Sequence, residues 1–595
     1  MLNWLNDRTG CRDAWRRWAD APIPGGAGWR RVLPAAILCI FCTQVITGFV
    51  LWTYYSPSTL TAWESVYYLQ SEVAGGWLLR AVHHYAAQTA AVLVGLYLLQ
   101  QILTGAYRAP REAVFWVTLL LALAALGLLL TGDLLAWNQN GYTATKTRAG
   151  FLKILLSGSD DLFRLAAGGP DFGHLTLTRF LAFHIGLGAG GFLLLLILHG
   201  IFVRRADAVL AEKAAATSPR WPNQAWRSAT ACLGVLAVVL ALALSHGTTG
   251  PDRGVTLGSP ADHANPFAAA RPEWIFRALY QFSEFFPGQL AWIPIFLVPG
   301  IVFLLFVLMP FFGKRTLGHL FNLGLTIFLI AAAALLSYLS YARDARDPAY
   351  QLAVTEENML AHRAVELARA KGIPPEGALT LLRNDILAQG GRLFKQHCTT
   401  CHAGGGYLAE EATAPNLTGY ATRQWLTGFL NPQTIGSADY FGYKNSPFKG
   451  GKMVDFIKDT FSDLDPQGKE DLRKVVLALS AEAQLPTQRE IDARDAQAVE
   501  EGRRLITDDF GCTDCHRFRG KGERVGPELT GYGSRKWIAA MIGNPASKRY
   551  YGKRNDRMPA YAETDDETKN LLPHKDVNML ADWLRGDWFR PPMDQ

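Results

Sequence analysis

The chain has 595 residues, of which 49% are hydrophobic and 19% charged, and a formal net charge of +7. That length exceeds one hydrophobic core, and the charged share lies below the roughly 25% of ordinary soluble domains. The composition excludes a wholly soluble enzyme, a disordered chain, a collagen and a disulfide scaffold; with no basic block interleaved with aromatics, no nucleic acid is expected as a partner. Residues 32–342 hold long uncharged apolar runs, whereas 343–595 read as water-soluble sequence.

In chain order, seven runs approach the roughly 20 apolar residues a membrane-spanning helix needs. They fall at 32–55, 77–105, 113–132, 180–203, 228–245, 288–312 and 317–342. The first begins late and lacks a small-residue cleavage site, so it reads as a span and not as a cleaved signal peptide. Arginine and lysine crowd the amino-terminal stretch (Arg8, Arg12, Arg16, Arg17, Arg30, Arg31) and the loops after the second, fourth and sixth runs, while the loop 56–76 has neither. The amino terminus is therefore expected in the cytoplasm. An odd number of spans puts the soluble tail outside, in the periplasm of a prokaryotic inner membrane. Cys39, Cys42 and Cys232 lie in or beside apolar runs and read as small buried side chains.

His83, His84, His184 and His199 sit inside the second and fourth runs. Ionisable side chains at membrane depth are costly and mark function. His184 and His199 are 15 residues apart, about 22 Å along a helix and within about 60° of one face. One helix can then touch two haems stacked across the membrane.

Here the sequence resembles a known family. Arg80-Ala-Val-His83, Gln44-Val-Ile-Thr-Gly48-Phe and Thr178-Arg-Phe-Leu-Ala-Phe-His184 are similar to the haem-binding helices of cytochrome b in the bc/b6f complexes, and Asn265-Pro-Phe with Pro272-Glu-Trp-Ile-Phe is similar to subunit IV. The resemblance covers about residues 30–342 and implies membrane lipid as surroundings and quinol as substrate. It implies that His83 and His184 ligate an outer haem b, that Gly48 and Gly132 give that haem room, and that Arg80 pairs with a propionate. Glu273 would take a quinol proton and Tyr280 would line the quinol site. The departures cluster at the inner haem. The remaining ligand histidine falls on Tyr97, a propionate-pairing arginine on Gln100, and two glycines on Pro34 and Thr118. His199 alone is kept, so the inner haem is expected to be lost or abnormally ligated, with Tyr97 one conceivable ligand. Val32 stands where b6f attaches an extra haem, and Leu134-Leu-Ala-Trp137 replaces a Pro-Trp pattern.

The tail carries Cys398-Thr-Thr-Cys401-His402 and Cys512-Thr-Asp-Cys515-His516. In C-x-x-C-H the thiols bond haem vinyls and the histidine ligates iron; a zinc site would want further ligands at set spacings. Pro415-Asn-Leu-Thr-Gly-Tyr420 recurs as Pro527-Glu-Leu-Thr-Gly-Tyr532, 112 residues on, so the tail is an internal repeat. Each half resembles class I cytochrome c and needs a second ligand. Chain order offers Met453 for the first repeat and Met558 for the second.

The expected fold is all-α. It comprises a four-helix haem-binding domain (1–210), a three-helix subunit IV-like domain (211–345), a linker helix with a first cytochrome c domain (346–490) and a second (491–595). The linker is expected to lift the haem domains off the membrane. The resemblance implies a cytochrome b/c subunit of a quinol-oxidising bc-type complex, a homodimer with a Rieske iron–sulfur partner, delivering electrons to a soluble cytochrome c or a terminal oxidase. The alternative is a haem-bearing electron conduit that anchors a larger respiratory assembly without quinol bifurcation, motivated by the degraded inner site.

Overall fold

A computed structural model describes residues 2–155, 160–265, 267–555 and 557–590. Pro266 of the Asn265-Pro-Phe motif lies outside the described residues. The chain is all-α, and its single strand pair, among the described residues, joins Pro22–Pro24 to Thr217–Pro219. Contacts divide it into two compact units, Met1–Leu381 and Leu382–Gln595.

In the first unit the apolar runs become seven helices long and apolar enough to cross a membrane, among the described residues. They are α1 (Leu33–Tyr54), α2 (Gly76–Leu103), α3 (Glu112–Leu135), α4 (His174–Ala211), α5 (Asn223–Leu244), α6 (Gly288–Phe312) and α7 (Thr316–Arg346). Apolar side chains such as Leu187, Leu317 and Phe328 face outward, as lipid contact requires. The protein is an integral membrane protein. Helix α1 packs on α2 and α5, α2 on α3, and α3 on α4. Within α4, Phe183–Ala189 widens into a π-helical turn around His184. Such turns concentrate at functional sites.

The two ends of the bundle are tied differently. At the start of α3 and the end of α4, buried Asp207 receives Arg111 at 2.7 Å and Arg31 at 3.2 Å. At the opposite end a loop covers the bundle: Gly258 O accepts from Trp63 Nε1 at 2.9 Å and Leu257 O from Asn138 Nδ2 at 2.9 Å. Helix α7 stops at Asp347 because Pro348 forces its predecessor out of the helical region. The extended Asp347 carboxylate then caps α8 (Pro348–Lys371) through the N–H groups of Ala349 and Tyr350. Helix α8 is docked on this loop. Ser259 donates to Glu357 from N at 3.0 Å and Oγ at 2.8 Å, and His362 Nε2 meets Asp252 Oδ2 at 2.8 Å. These contacts pin α8 to the first unit.

The second unit contains α9 (Ile386–His397), α10 (Arg423–Phe429), α11 (Lys452–Phe461), α12 (Pro466–Glu482), α13 (Ala496–Asp508), α14 (Arg535–Gly543) and α15 (His574–Leu584). Helix α9 packs on α15 and α15 on α14, while α12 packs on α10 and α13. One core joins Leu393 and Phe394 to Trp537, Tyr561 and Trp583; the other joins Trp425, Ile457 and Phe461 to Ile506 and Phe518. Each core draws on residues from both sides of position 490.

Candidate functional site

His83 on α2 and His184 on α4 have matched surroundings. Thr47 Oγ1 lies 2.9 Å from His83 Nδ1, and Thr131 Oγ1 lies 3.0 Å from His184 Nδ1. The residue after each threonine is the glycine singled out above. A Cβ on Gly48 would come 3.1 Å from His83 Cε1, and one on Gly132 3.1 Å from His184 Cε1. Each Thr-Gly pair thus holds one ring nitrogen and gives the imidazole space to lie flat against a neighbouring helix. Nε2 of each ring has no side-chain partner among the described residues, the arrangement of a metal-ligating histidine. Both residues are half-buried. The site fits a haem held by two histidines. Arg80, expected near a propionate, donates to Val255 O at 2.8 Å, to Thr256 O at 3.1 Å and to Gln70.

The inner position is different. His199 and Tyr97 are 6% and 9% exposed, and His199 Nε2 bonds Tyr97 Oη directly at 3.2 Å. The rings meet edge-on with centroids 5.5 Å apart, so no porphyrin plane fits between them. Phe41 stacks on Phe192 at 5.1 Å in the same core. Thr118, fully buried, accepts from Gln101 Nε2 at 3.1 Å, and Gln100 Nε2 donates to Arg30 O at 2.6 Å. His199 and Tyr97 are thus paired with each other, and this pairing does not fit a haem between them.

Glu273 begins the turn Trp274–Phe276 after the covering loop. Its Oε2 is buried without a hydrogen-bond partner. Burial, reinforced by Asp133 and opposed by Arg148, pushes its carboxyl up to about 7. Asp133 directly follows Gly132, the residue against His184, and pairs with Arg148 Nη2 at 2.8 Å. Trp274 Nε1 donates to Gln88 Oε1 at 3.0 Å, and Gln88 Nε2 lies 2.8 Å from His84 Nε2. His84 thus faces this turn. Tyr280 lies on the short helix Arg277–Ser283, under the Arg271 guanidinium at 5.3 Å. Burial raises its hydroxyl, with Arg271 opposing and Glu284 reinforcing. Asp344 on α7 fixes this helix, pairing with Arg277 Nη1 at 2.6 Å and Arg271 Nη2 at 3.0 Å. Glu273 and Tyr280 therefore answer to different partners. Trp137 of the divergent Leu134–Trp137 stretch has φ 48° and packs against Leu134, Tyr142 and Ala261.

In the second unit His402 Nδ1 lies 2.7 Å from Pro415 O, and His516 Nδ1 lies 2.7 Å from Pro527 O. The repeated prolines seen in the sequence thus orient both imidazoles with Nε2 directed away. Cys398, Cys401, Cys512 and Cys515 are unbridged and half-buried. Burial pushes the Cys398 thiol up to about 12 and the Cys512 thiol up to about 11. Among the described residues no three His, Cys, Asp or Glu side chains converge on a metal-ion site. Both motifs fit a covalent haem. Met558 belongs to the core around Cys398, and Met453 to the core around Cys512. Sequence reasoning missed Thr47, Thr131, Asp133 and Arg148. The two Thr-Gly dipeptides were a readable signal; the Asp133–Arg148 pair, closed only in three dimensions, was not.

Fold and side chains together define a membrane-embedded haem protein with an attached c-type unit. A cytochrome b/b6/petB family profile matches residues 29–207, and a cytochrome c profile matches 499–588. The menaquinol:cytochrome c reductase cytochrome b subunit of Bacillus subtilis is 35% identical over 213 residues, 34% of this chain and 95% of that protein. The cytochrome bc complex cytochrome b subunit of Chlorobaculum thiosulfatiphilum is 30% identical over 317 residues, 51% of this chain and 71% of that protein. A chain of a hyperthermophilic respiratory Complex III shares the fold at TM-score 0.50 and 24% identity, over 61% of this chain and 95% of its own. The chain belongs to the cytochrome b/b6 family, here fused to cytochrome c.

Proposed function

We propose that this chain is the cytochrome b/c subunit of a quinol-oxidising bc-type complex, acting as a quinol:cytochrome c oxidoreductase. It would sit in a prokaryotic inner membrane with its amino terminus cytoplasmic and its c-type unit periplasmic. A homodimeric complex, a Rieske iron–sulfur protein, and a soluble cytochrome c or terminal oxidase complete the proposal. The Rieske partner follows from the lack of a spare cysteine and histidine set for a cluster in this chain.

The observation that carries the reading is the buried, unpartnered Oε2 of Glu273 beside Asp133, one residue from the glycine that faces His184. A carboxyl poised near neutrality accepts a proton and releases it again at physiological pH. In this reading a quinol hydroxyl donates its proton to Glu273 Oε2. Burial and Asp133 favour the protonated carboxyl, Arg148 limits that rise, and neither gives Oε2 a hydrogen bond. Thr47 and Thr131 hold the imidazoles in one orientation, and the Asp344 cluster fixes the helix that bears Tyr280. Bound haems supply the one-electron chemistry that side chains lack. The closed Tyr97–His199 pair supports a single b-haem together with two c-haems.

The same closure favours a second reading, an electron-conduit and anchor subunit without bifurcation, since no inner carrier is left beside His199. The test is anaerobic mixing of the purified complex with a quinol. Reduction of the b-haem, with a Rieske protein among the subunits, supports the first reading. A b-haem that stays oxidised while the c-haems reduce, with no Rieske subunit, supports the conduit.

A further inference from the structure

The periplasmic unit raises a question that chain order answers one way and packing another. Read linearly, Met453 serves the first motif and Met558 the second, and the cytochrome c profile runs through Cys512 and Met558 as one stretch. The helices do not close that way. Met558 packs in one core with Cys398, and Met453 in the other with Cys512.

Here the helix before the first motif, α9, is packed by α15, the last helix of the second repeat. Phe394 lies 5.0 Å from Trp583, and a Cβ on Gly390 would come 2.3 Å from Trp583 Cβ. The helix before the second motif, α13, is packed by α12, the last helix of the first repeat. A Cβ on Gly502 would come 3.0 Å from Ala478 Cβ, and Phe510 meets Phe461 at 5.5 Å. Gly390 and Gly502 stand 112 residues apart, the offset of the repeat itself. Each lies on the helix before its motif, and each faces a helix from the other repeat.

The segments leading to those helices follow them. Tyr561, three residues after Met558, donates to His397 O at 2.7 Å, and its hydroxyl feels Cys398 and Cys401. Arg557, beside Met558, donates to Thr413 O at 3.5 Å, in the loop between His402 and Pro415. Met453 opens α11, whose far end carries the Phe461 that meets Phe510, two residues before Cys512. Glu482, at the end of α12, binds Arg519 at 2.8 Å and the Gly531 N–H at 2.9 Å, both in the second repeat.

The strands of chain cross at one point. Tyr420 and Tyr532, the last residues of the repeated Pro-x-Leu-Thr-Gly-Tyr, meet at 5.7 Å. Gly533, at φ +71°, lets them approach, since a Cβ there would come 2.5 Å from Ala421 Cβ. Arg585 closes the crossing by donating to Gly533 O at 3.0 Å and Gln484 O at 2.9 Å.

We propose that the two repeats exchange their second iron ligands: Met558 completes the haem carried by Cys398, Cys401 and His402, and Met453 the haem carried by Cys512, Cys515 and His516. This rests on the reading that both motifs carry covalent haem. It makes the c-type unit one interlocked body with a fixed relation between its two irons.

The test uses the full chain in its complex. Cys398→Ala leaves the first haem held by one thioether with one vinyl unsaturated, and the extended conjugation shifts its α band to the red, labelling it. Adding Met558→Ala is expected to abolish the shifted component and leave the unshifted one; adding Met453→Ala is expected to do the reverse. The opposite assignment overturns the exchange and restores linear pairing. If an alanine variant fails to assemble, Met558→His keeps six ligands and lowers the potential of the haem it serves, expected to be the labelled one; a drop confined to the unlabelled haem overturns the proposal. Absence of covalent haem from the denatured wild-type chain would overturn the haem reading itself, a result distinct from either pairing.

Discussion

Replacing Glu273 by glutamine removes the proton acceptor while keeping its shape. Burial beside Asp133 pushes the carboxyl up to about 7, so about a tenth of it is ionised at pH 6 and about half at pH 7. Quinol-driven reduction of the b-haem is then expected to rise about fivefold from pH 6 to pH 7 and less than about twofold from pH 7 to pH 8. Glu273→Gln should flatten this rise and lower the rate about 100-fold, the low end for removing a general base. Stability moves the other way. A carboxyl whose folded pKa is raised costs nothing below its unfolded value near 4.5 and costs progressively more as pH climbs to 7. Above pH 7 the cost levels at about 3 kcal/mol. The glutamine variant should therefore resist heat better than the parent at pH 8 and about equally at pH 4. The assays are stopped-flow b-haem reduction and thermal unfolding of the complex, both across pH. An unchanged pH profile in the variant, or a rate loss accompanied by lower stability at pH 8, would rule out this role for Glu273.

Other expectations follow from single contacts. Tyr97→Phe should leave the b-haem spectrum untouched while destabilising the bundle by about 1–3 kcal/mol, because buried His199 loses its partner; a changed b-haem spectrum would place a haem there. Gly132→Ala brings a Cβ to 3.1 Å from His184 Cε1, so the imidazole must shift and b-haem content should fall relative to c-haem; an unchanged ratio and spectrum contradict this. Asp344→Asn leaves buried Arg277 and half-buried Arg271 without their counter-charge, which should cost about 3 kcal/mol and raise the KM for quinol by loosening the Tyr280 helix; unaltered unfolding would show the cluster to be idle.

Much of this was legible in the sequence because the signals were local or strongly periodic. The seven spans follow from apolar length, and the haem motifs of the tail from five-residue patterns. His83 and His184 stood out as ionisable residues in apolar runs, and Tyr97, Gln100, Pro34 and Thr118 as departures from the family pattern clustered in one region. What the sequence could not carry was closure in space. The π-helical turn around His184 leaves no compositional mark. Asp133, Arg148 and Glu273 are joined only when the loop before α6 folds over the end of α3. The crossed packing of the c-type unit was hidden because the repeats are alike: a helix that fits its own repeat also fits the other, and only contacts such as Phe394 with Trp583 distinguish the two.

The bundle is expected to hold one b-haem, at His83 and His184, alongside two c-haems in the tail. The pyridine haemochrome assay of the purified chain tests it directly. One b to two c is the predicted ratio, as the direct contact of His199 with Tyr97 requires. Two b to two c would contradict this, since a second b-haem beside His199 requires that contact to be broken.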